Sequence, residues 1–293
     1  MVCHERQRRR HYGRYGMTGS ASAYLRAREE NRPALVGYLP VGHPSVPHSI
    51  DAMKALTTGT TGTGVDLVVI GMPYSDPMMD GTVIQHVTTW ALERGVRTRD
   101  TLLAAEAVAG TGTPCVIMTY WNLVEHYGVD AYARDLASAG GLGLITPDLT
   151  PDEAEEWMAA SDAYGLDRVF LVAPSSTHER LTSTVAACRG WIYATSIMGA
   201  TGTRTQKSST APELVARVRG VDPDIAVGVE LGVSNGDQAA EVGSFADGVI
   251  VRSALVRAFV EAEDRGDSVT VGIDRMCAIV DDLAAGVRRA ERQ

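Results

Sequence analysis

DLVVIGMPYSDPMMDGTVIQHVTTWALERG, residues 66–95, carries the pattern that decides the fold. DLVVIG (66–71) is a nearly continuous apolar run, as a parallel strand covered on both faces requires. GMPYSDPMMDG (Gly71–Gly81) is dense in turn formers. IQHVTTWALERG (84–95) spaces its apolar residues along one helical face. Strand, loop and helix in that order make one βα unit.

The same unit recurs on both sides. Apolar β-rich runs occur at ALVGYL (34–39), PCVIMTY (114–120), LGLIT (142–146), RVFLVA (168–173), WIYATS (191–196), DIAVGVEL (224–231) and DGVIVR (247–252). Helical patterns lie between them at 129–140, 151–165 and 235–246, and an amphipathic helix covering the barrel flank is expected over the C-terminal segment 271–293. Eight such units predict an α/β fold of the (β/α)₈ TIM-barrel type. An open doubly wound sheet is the alternative, but no GxGxxG follows the first strand. The barrel is expected as a single domain over residues 17–293. TTGTTGTG (57–64) reads as an inserted loop on the face away from the strand C-termini.

The first sixteen residues, MVCHERQRRRHYGRYG, are basic and lack an apolar segment, so 1–16 is expected to be a disordered extension or to precede the true start at Met17. The net charge of −9 argues against nucleic acid, whose phosphates need clustered Lys and Arg. No apolar run reaches about 18 residues, so no membrane helix is expected. Cysteines stand at 3, 115, 188 and 277, without metal-ligand or redox spacing. Cys115 reads as a core thiol, and a reducing cytoplasm fits.

In a (β/α)₈ barrel, chemistry sits just beyond the strand C-termini. Those positions hold Gly71–Gly81, Tyr120–Asn122, Pro147–Leu149, Ile197–Arg204, Leu231–Gly236 and Arg252–Ser253. Each has a structural reading beside the functional one. Asp76 and Asp80 suit helix caps, Ser234 and Asn235 suit an N-cap, and GATG (199–202) suits a hinged loop. Taken together, Gly199, Gly202 and the helix starts after the last two strands offer free N–H groups of the kind that hold phosphate.

PYSDPMMDG (73–81), VIMTYWN (116–122), TPDLTPDEAEEW (146–157), FLVAPSSTHERL (170–181), YATSIMGATGTR (193–204) and GVSNGDQAAEVGSFADGVIV (232–251), in this order, resemble the tryptophan synthase alpha subunit. The resemblance spans roughly Ala34 to Val256. It implies a barrel that splits indole-3-glycerol phosphate into indole and glyceraldehyde 3-phosphate by a retro-aldol reaction. It further implies no metal or organic cofactor, a small-molecule substrate, and a pyridoxal-phosphate-dependent beta subunit as partner. One acid-base group protonates the indole carbon bearing the glycerol chain, and another handles the indole N–H.

Residue by residue, the resemblance is incomplete. Asp80 matches the family's catalytic Asp, while Val69 stands where the catalytic Glu is expected and transfers no proton. Glu230 and Arg252 stand at two glycines of the phosphate site, whereas Gly232 and Ser253 are kept. Tyr193, Thr201 and Gly202 match pocket positions, Tyr120 and Asn122 are further candidates for substrate contact, and Pro73 and Asp76 match the partner-contacting loop. His43 stands at a less uniform position after the first strand.

A Glu230–Arg252 pair is expected, because an unpaired buried carboxylate is unfavourable. Arg252 then either reaches a phosphate or carboxylate or fills the old phosphate site with its partner. Glu230 is also a candidate for a relocated acid-base group opposite Asp80, against the alternative of a purely structural ion pair. Three readings follow: a lyase with a rewritten site using Asp80, Glu230 and Tyr193; a catalytically silent paralogue that binds a ligand or a beta-like partner; and a faithful alpha subunit, which Val69, Glu230 and Arg252 disfavour.

Overall fold

The computed structural model of the protein describes residues 19–195 and 204–291. The basic segment 1–16 and the loop residues Thr201 and Gly202 lie outside the described residues.

Among the described residues nine parallel strands form one sheet: β1 (Ala34–Pro40), β2 (Leu67–Gly71), β3 (Cys115–Met118), β4 (Gly143–Ile145), β5 (Asp167–Val169), β6 (Leu171–Val172), β7 (Trp191–Thr195), β8 (Ala226–Glu230) and β9 (Gly248–Val251). Their order is β5-β4-β3-β2-β1-β9-β8-β7-β6. β5 and β6 are the two halves of the single run expected at 168–173. The first half pairs with β4 and the second with β7. Between them the Phe170 carbonyl accepts the Tyr193 N–H at 3.1 Å. The ends of the sheet thus meet in one stretch of chain, and the barrel closes as (β/α)₈.

The strands are buried almost throughout, which explains their unbroken apolar runs. Cys115 lies in this core, where burial pushes its thiol up to about 12. The β1–β2 register sets Tyr38 beside Val69, and β2–β3 sets Val69 beside Val116.

A helix ahead of the first strand, Ala21–Glu29, was not foreseen from the strand pattern. Its Tyr24 fills the space that Gly228 and Gly248 leave by lacking side chains, and its ring lies 5.2 Å from that of Trp191. The buried Asp167 carboxylate accepts from both the N–H and the hydroxyl of Ser20 at 2.6 Å. The helix start is thereby tied to the N-terminal end of the barrel.

At the opposite end the chain departs from one helix per strand. Thr82–Glu93 follows β2 and is succeeded by a second helix, Thr98–Ala109. After β9, Ser253–Asp264 is likewise succeeded by Val269–Arg288. The helices Thr82–Glu93 and Ser253–Asp264 pack against each other, which brings the β2 and β9 ends into one neighbourhood. Tyr120–Asn122, placed at the end of the third strand run, opens a short helix, Trp121–Tyr127, because Asp148 accepts the Trp121 N–H at 3.0 Å. The inserted loop at 57–64 is held by Asp281 of the last helix, which accepts from the Thr60 N–H at 3.2 Å and the Thr61 hydroxyl at 3.1 Å. Among the described residues no helix is long and apolar enough to cross a membrane.

Candidate active site

The C-terminal ends of β1, β2, β7, β8 and β9 converge on Arg252. This residue follows β9 directly and is 4% exposed. One end of its guanidinium donates to Asp80 in the β2 loop, and Nη1 donates to Glu230 Oε1 at the end of β8, 3.3 Å away. The Tyr193 hydroxyl donates to the other Glu230 oxygen at 2.7 Å. A chain of polar groups, Asp80–Arg252–Glu230–Tyr193, therefore crosses the barrel mouth.

Tyr38 supplies the floor, with the Arg252 guanidinium 4.5 Å from the centre of its ring. A cation over an aromatic face is attracted by the ring quadrupole. Gly71 is required beneath it, since a side-chain carbon there would overlap the Tyr38 hydroxyl. Burial and the neighbouring carboxylates hold the Tyr193 and Tyr38 hydroxyls well above the ordinary phenol range. Both hydroxyls thus stay protonated, and Tyr193 remains a donor to Glu230. Arg252 is buried, which disfavours its charge, but Glu230, Tyr193, Tyr38 and Asp80 together raise its pKa. The expected Glu230–Arg252 pair is present, and Asp80 joins it as a third member.

Asp80 makes no helix cap. Gly81 occupies the cap of Thr82–Glu93 without a side-chain bond, and the Asp80 carboxylate turns to Arg252 instead. The loop that carries it is fixed from β3, since the Tyr120 hydroxyl accepts the Met78 N–H at 2.8 Å and the Tyr120 ring stacks on Tyr74 at 4.2 Å. Tyr120 thus contacts the β2 loop itself. Asn122 is exposed on the helix Trp121–Tyr127. In the β2 loop Asp76 is exposed and accepts from the Ser75 hydroxyl, whereas Pro73 is buried. Asn235 caps its helix by accepting the Gln238 N–H at 3.0 Å. Val69 is fully buried in the wall beside Tyr38.

Gly232 and Ser253 line a cavity of about 370 Å³ together with Glu230 and Arg252. Two residues not singled out in the sequence belong to the neighbourhood. Tyr38 lies inside a strand, where an aromatic reads as core. Arg257, one turn beyond Ser253, lines the cavity, but on the sequence it is only a charge on a helix face. Among the described residues no cluster of His, Cys, Asp and Glu is arranged to hold a metal ion.

His43, after β1, is buried with its Nε2 3.5 Å from Glu263 and its ring edge-on to Trp90. Burial first, and then His86 and Arg94, lower its pKa to about 4. In the unfolded chain a histidine takes up its proton near pH 6.5. Between these values the unfolded state binds more protons. Stability is therefore full above about pH 6.5 and falls as pH drops toward 4, by on the order of 3 kcal/mol. Urea midpoints across that window check this. His43→Gln, which cannot titrate, should flatten the curve relative to the wild type, and parallel curves would refute it.

A closed barrel with ionisable side chains gathered on its strand-end loops defines the protein as a (β/α)₈ barrel with an ion-paired pocket at the C-terminal face. The family model for the tryptophan synthase alpha chain matches residues 24–286. The tryptophan synthase alpha chain of Salinispora arenicola is 58% identical over 266 residues, covering 91% of this chain and 96% of the relative. That of Mycobacterium tuberculosis is 57% identical over 261 residues, covering 89% and 91%. A solved structure of M. tuberculosis tryptophan synthase aligns with a TM-score of 0.83 at 55% identity, covering 92% of this chain and 98% of that one. The alpha chain structure from Legionella pneumophila aligns with a TM-score of 0.78 at 26% identity, covering 92% and 97%. The chain belongs to the tryptophan synthase alpha chain family.

Proposed function

We propose that the chain, as a single barrel domain over residues 17–293, is a carbon–carbon lyase acting on indole-3-glycerol phosphate or a close relative, with its acid-base set relocated. The observation that carries this reading is Glu230. It faces Asp80 across Arg252 and holds a hydrogen bond from Tyr193. Val69 leaves the usual carboxylate position apolar, and Glu230 supplies a second carboxylate at the same barrel mouth.

The reaction needs a proton delivered to the indole carbon that bears the glycerol chain and a proton removed from the adjacent hydroxyl as the carbon–carbon bond breaks. The bonding electrons pass into the protonated ring and the hydroxyl carbon becomes the aldehyde. Glu230 is assigned the hydroxyl proton, with Tyr193 stabilising the carboxylate until it acts. Asp80 is assigned the indole N–H: it takes that proton as a water molecule protonates the ring carbon and returns it to nitrogen as the carbon–carbon bond breaks, while the hydroxyl proton taken by Glu230 passes back to the hydroxide left by that water. Arg252 pairs with both carboxylates and fixes their orientation.

A specific observation favours a second reading. Arg252 neutralises both carboxylates at once, and a saturated ion-pair chain beside Val69 is also what a catalytically silent paralogue would retain. In either case the exposed loop around Asp76 and Met78 is the face proposed for docking a pyridoxal-phosphate-dependent beta subunit.

Indole release from indole-3-glycerol phosphate, with and without a beta subunit, separates the readings when wild type is compared with Val69→Glu. Turnover by the wild type is expected. A silent wild type with activity gained in Val69→Glu would overturn the relocated set and leave the pocket's specificity intact. Silence in both would remove this substrate from the proposal.

A further inference from the structure

We infer that Arg257 is a side-chain anchor for the oxyanion end of the substrate, seated in the cavity behind Arg252. The inference rests on the lyase reading for the nature of that oxyanion, a phosphomonoester.

The cavity of about 370 Å³ is walled by Gly232, Ser234, Ser253, Ala254, Arg252 and Arg257, among others. Its character is set by three separate features. Ser253 and Ala254 open the twelve-residue helix Ser253–Asp264, whose N-cap, Arg252, makes no side-chain cap bond. The Leu255 N–H donates to the Arg252 carbonyl at 3.1 Å, and the N–H groups of Ser253 and Ala254 are left to whatever occupies the cavity. Gly232, at φ +64°, turns the β8 end with no side chain to fill the space. Third, the charges in the wall are unequal in their commitments. Glu230 and Arg252 are paired with each other, and Arg252 also with Asp80. Arg257 makes no hydrogen bond or ion pair among the described residues, and the buried Nε of Arg252 has no partner there.

A carboxylate at position 230 makes the cavity less hospitable to an anion than a glycine would. Arg257 restores the balance from one helical turn away. Its planar fork presents paired donors that match a phosphate or carboxylate, and an exposed guanidinium reaches a ligand without losing any existing contact.

The test is calorimetric binding of glycerol 3-phosphate, with inorganic phosphate and glycerate as comparison probes, to the full chain. Wild type is expected to bind glycerol 3-phosphate. Arg257→Gln is expected to weaken binding roughly tenfold to a hundredfold, the range for loss of a charge-assisted hydrogen bond. Arg257→Lys should keep part of the affinity. Arg257 is exposed, so thermal melts of the variants should match the wild type. Equal affinity in wild type and Arg257→Gln, or no binding by wild type, would overturn the inference. Tighter binding of glycerate than of glycerol 3-phosphate would overturn the phosphate assignment. Indole release is not read in this experiment. Arg257-dependent binding without cleavage therefore upholds the anchor and removes only the lyase reading, whereas cleavage with binding indifferent to Arg257 does the reverse.

Discussion

Glu230→Gln is expected to lower kcat for carbon–carbon cleavage by about 10²–10⁴-fold, the usual contribution of one positioned acid-base group. The amide keeps the size of the carboxylate and still accepts a bond from Tyr193, whose hydroxyl lies 2.7 Å from Oε2 in the native chain. It cannot take a proton. The loss should therefore fall on kcat with little change in KM, as for a group whose role is confined to the transition state. Asp80→Asn should fall in the same range, since the proposal gives the two carboxylates one proton each. Steady-state indole release checks both. If Glu230→Gln stays within a few fold of wild type while Asp80→Asn is inactive, Glu230 is a structural partner of Arg252 and not a base.

Arg252→Met is expected to destabilise the fold by about 3–5 kcal/mol, the range for removing one partner of a buried ion pair. Methionine keeps an unbranched apolar stem over the Tyr38 ring, so the change isolates the charge. Asp80 and Glu230, with side chains 9% and 22% exposed, then face each other without the cation that now bridges them. For a chain of this size the melting temperature should fall by roughly 10 °C. Adding Glu230→Gly to Arg252→Met should restore part of the loss, because one of the stranded carboxylates is removed. A melting temperature unchanged in Arg252→Met would show that the bridge contributes nothing net. A double variant no more stable than the single would show that Glu230 is indifferent to its partner.

Continuous apolar runs alternating with 3.6-residue patterns specify a parallel sheet covered on both faces, and eight such units without a GxGxxG after the first strand point to the closed barrel over the open sheet. Set beside the family resemblance, the residue types at Val69, Glu230 and Arg252 also raised the expectation of a rewritten site. The helix Ala21–Glu29 has no local signal in the strand pattern, because its role is to place Tyr24 against Gly228 and Gly248, a contact made across some 200 residues of chain. The helix start at Trp121 depends on Asp148, which approaches only once β3 and β4 are paired. The break at Phe170 answers to barrel closure, a demand on the whole sheet with no local signal. The same holds for the site. Which charge meets which is a matter of tertiary geometry: β8 and β9 bring Glu230 to Arg252, and packing of Thr82–Glu93 against Ser253–Asp264 brings Asp80 to the same guanidinium. A turn-forming Asp and a helix-face Arg257 carry no mark of their neighbours in the chain, because electrostatic partners are chosen by distance in space.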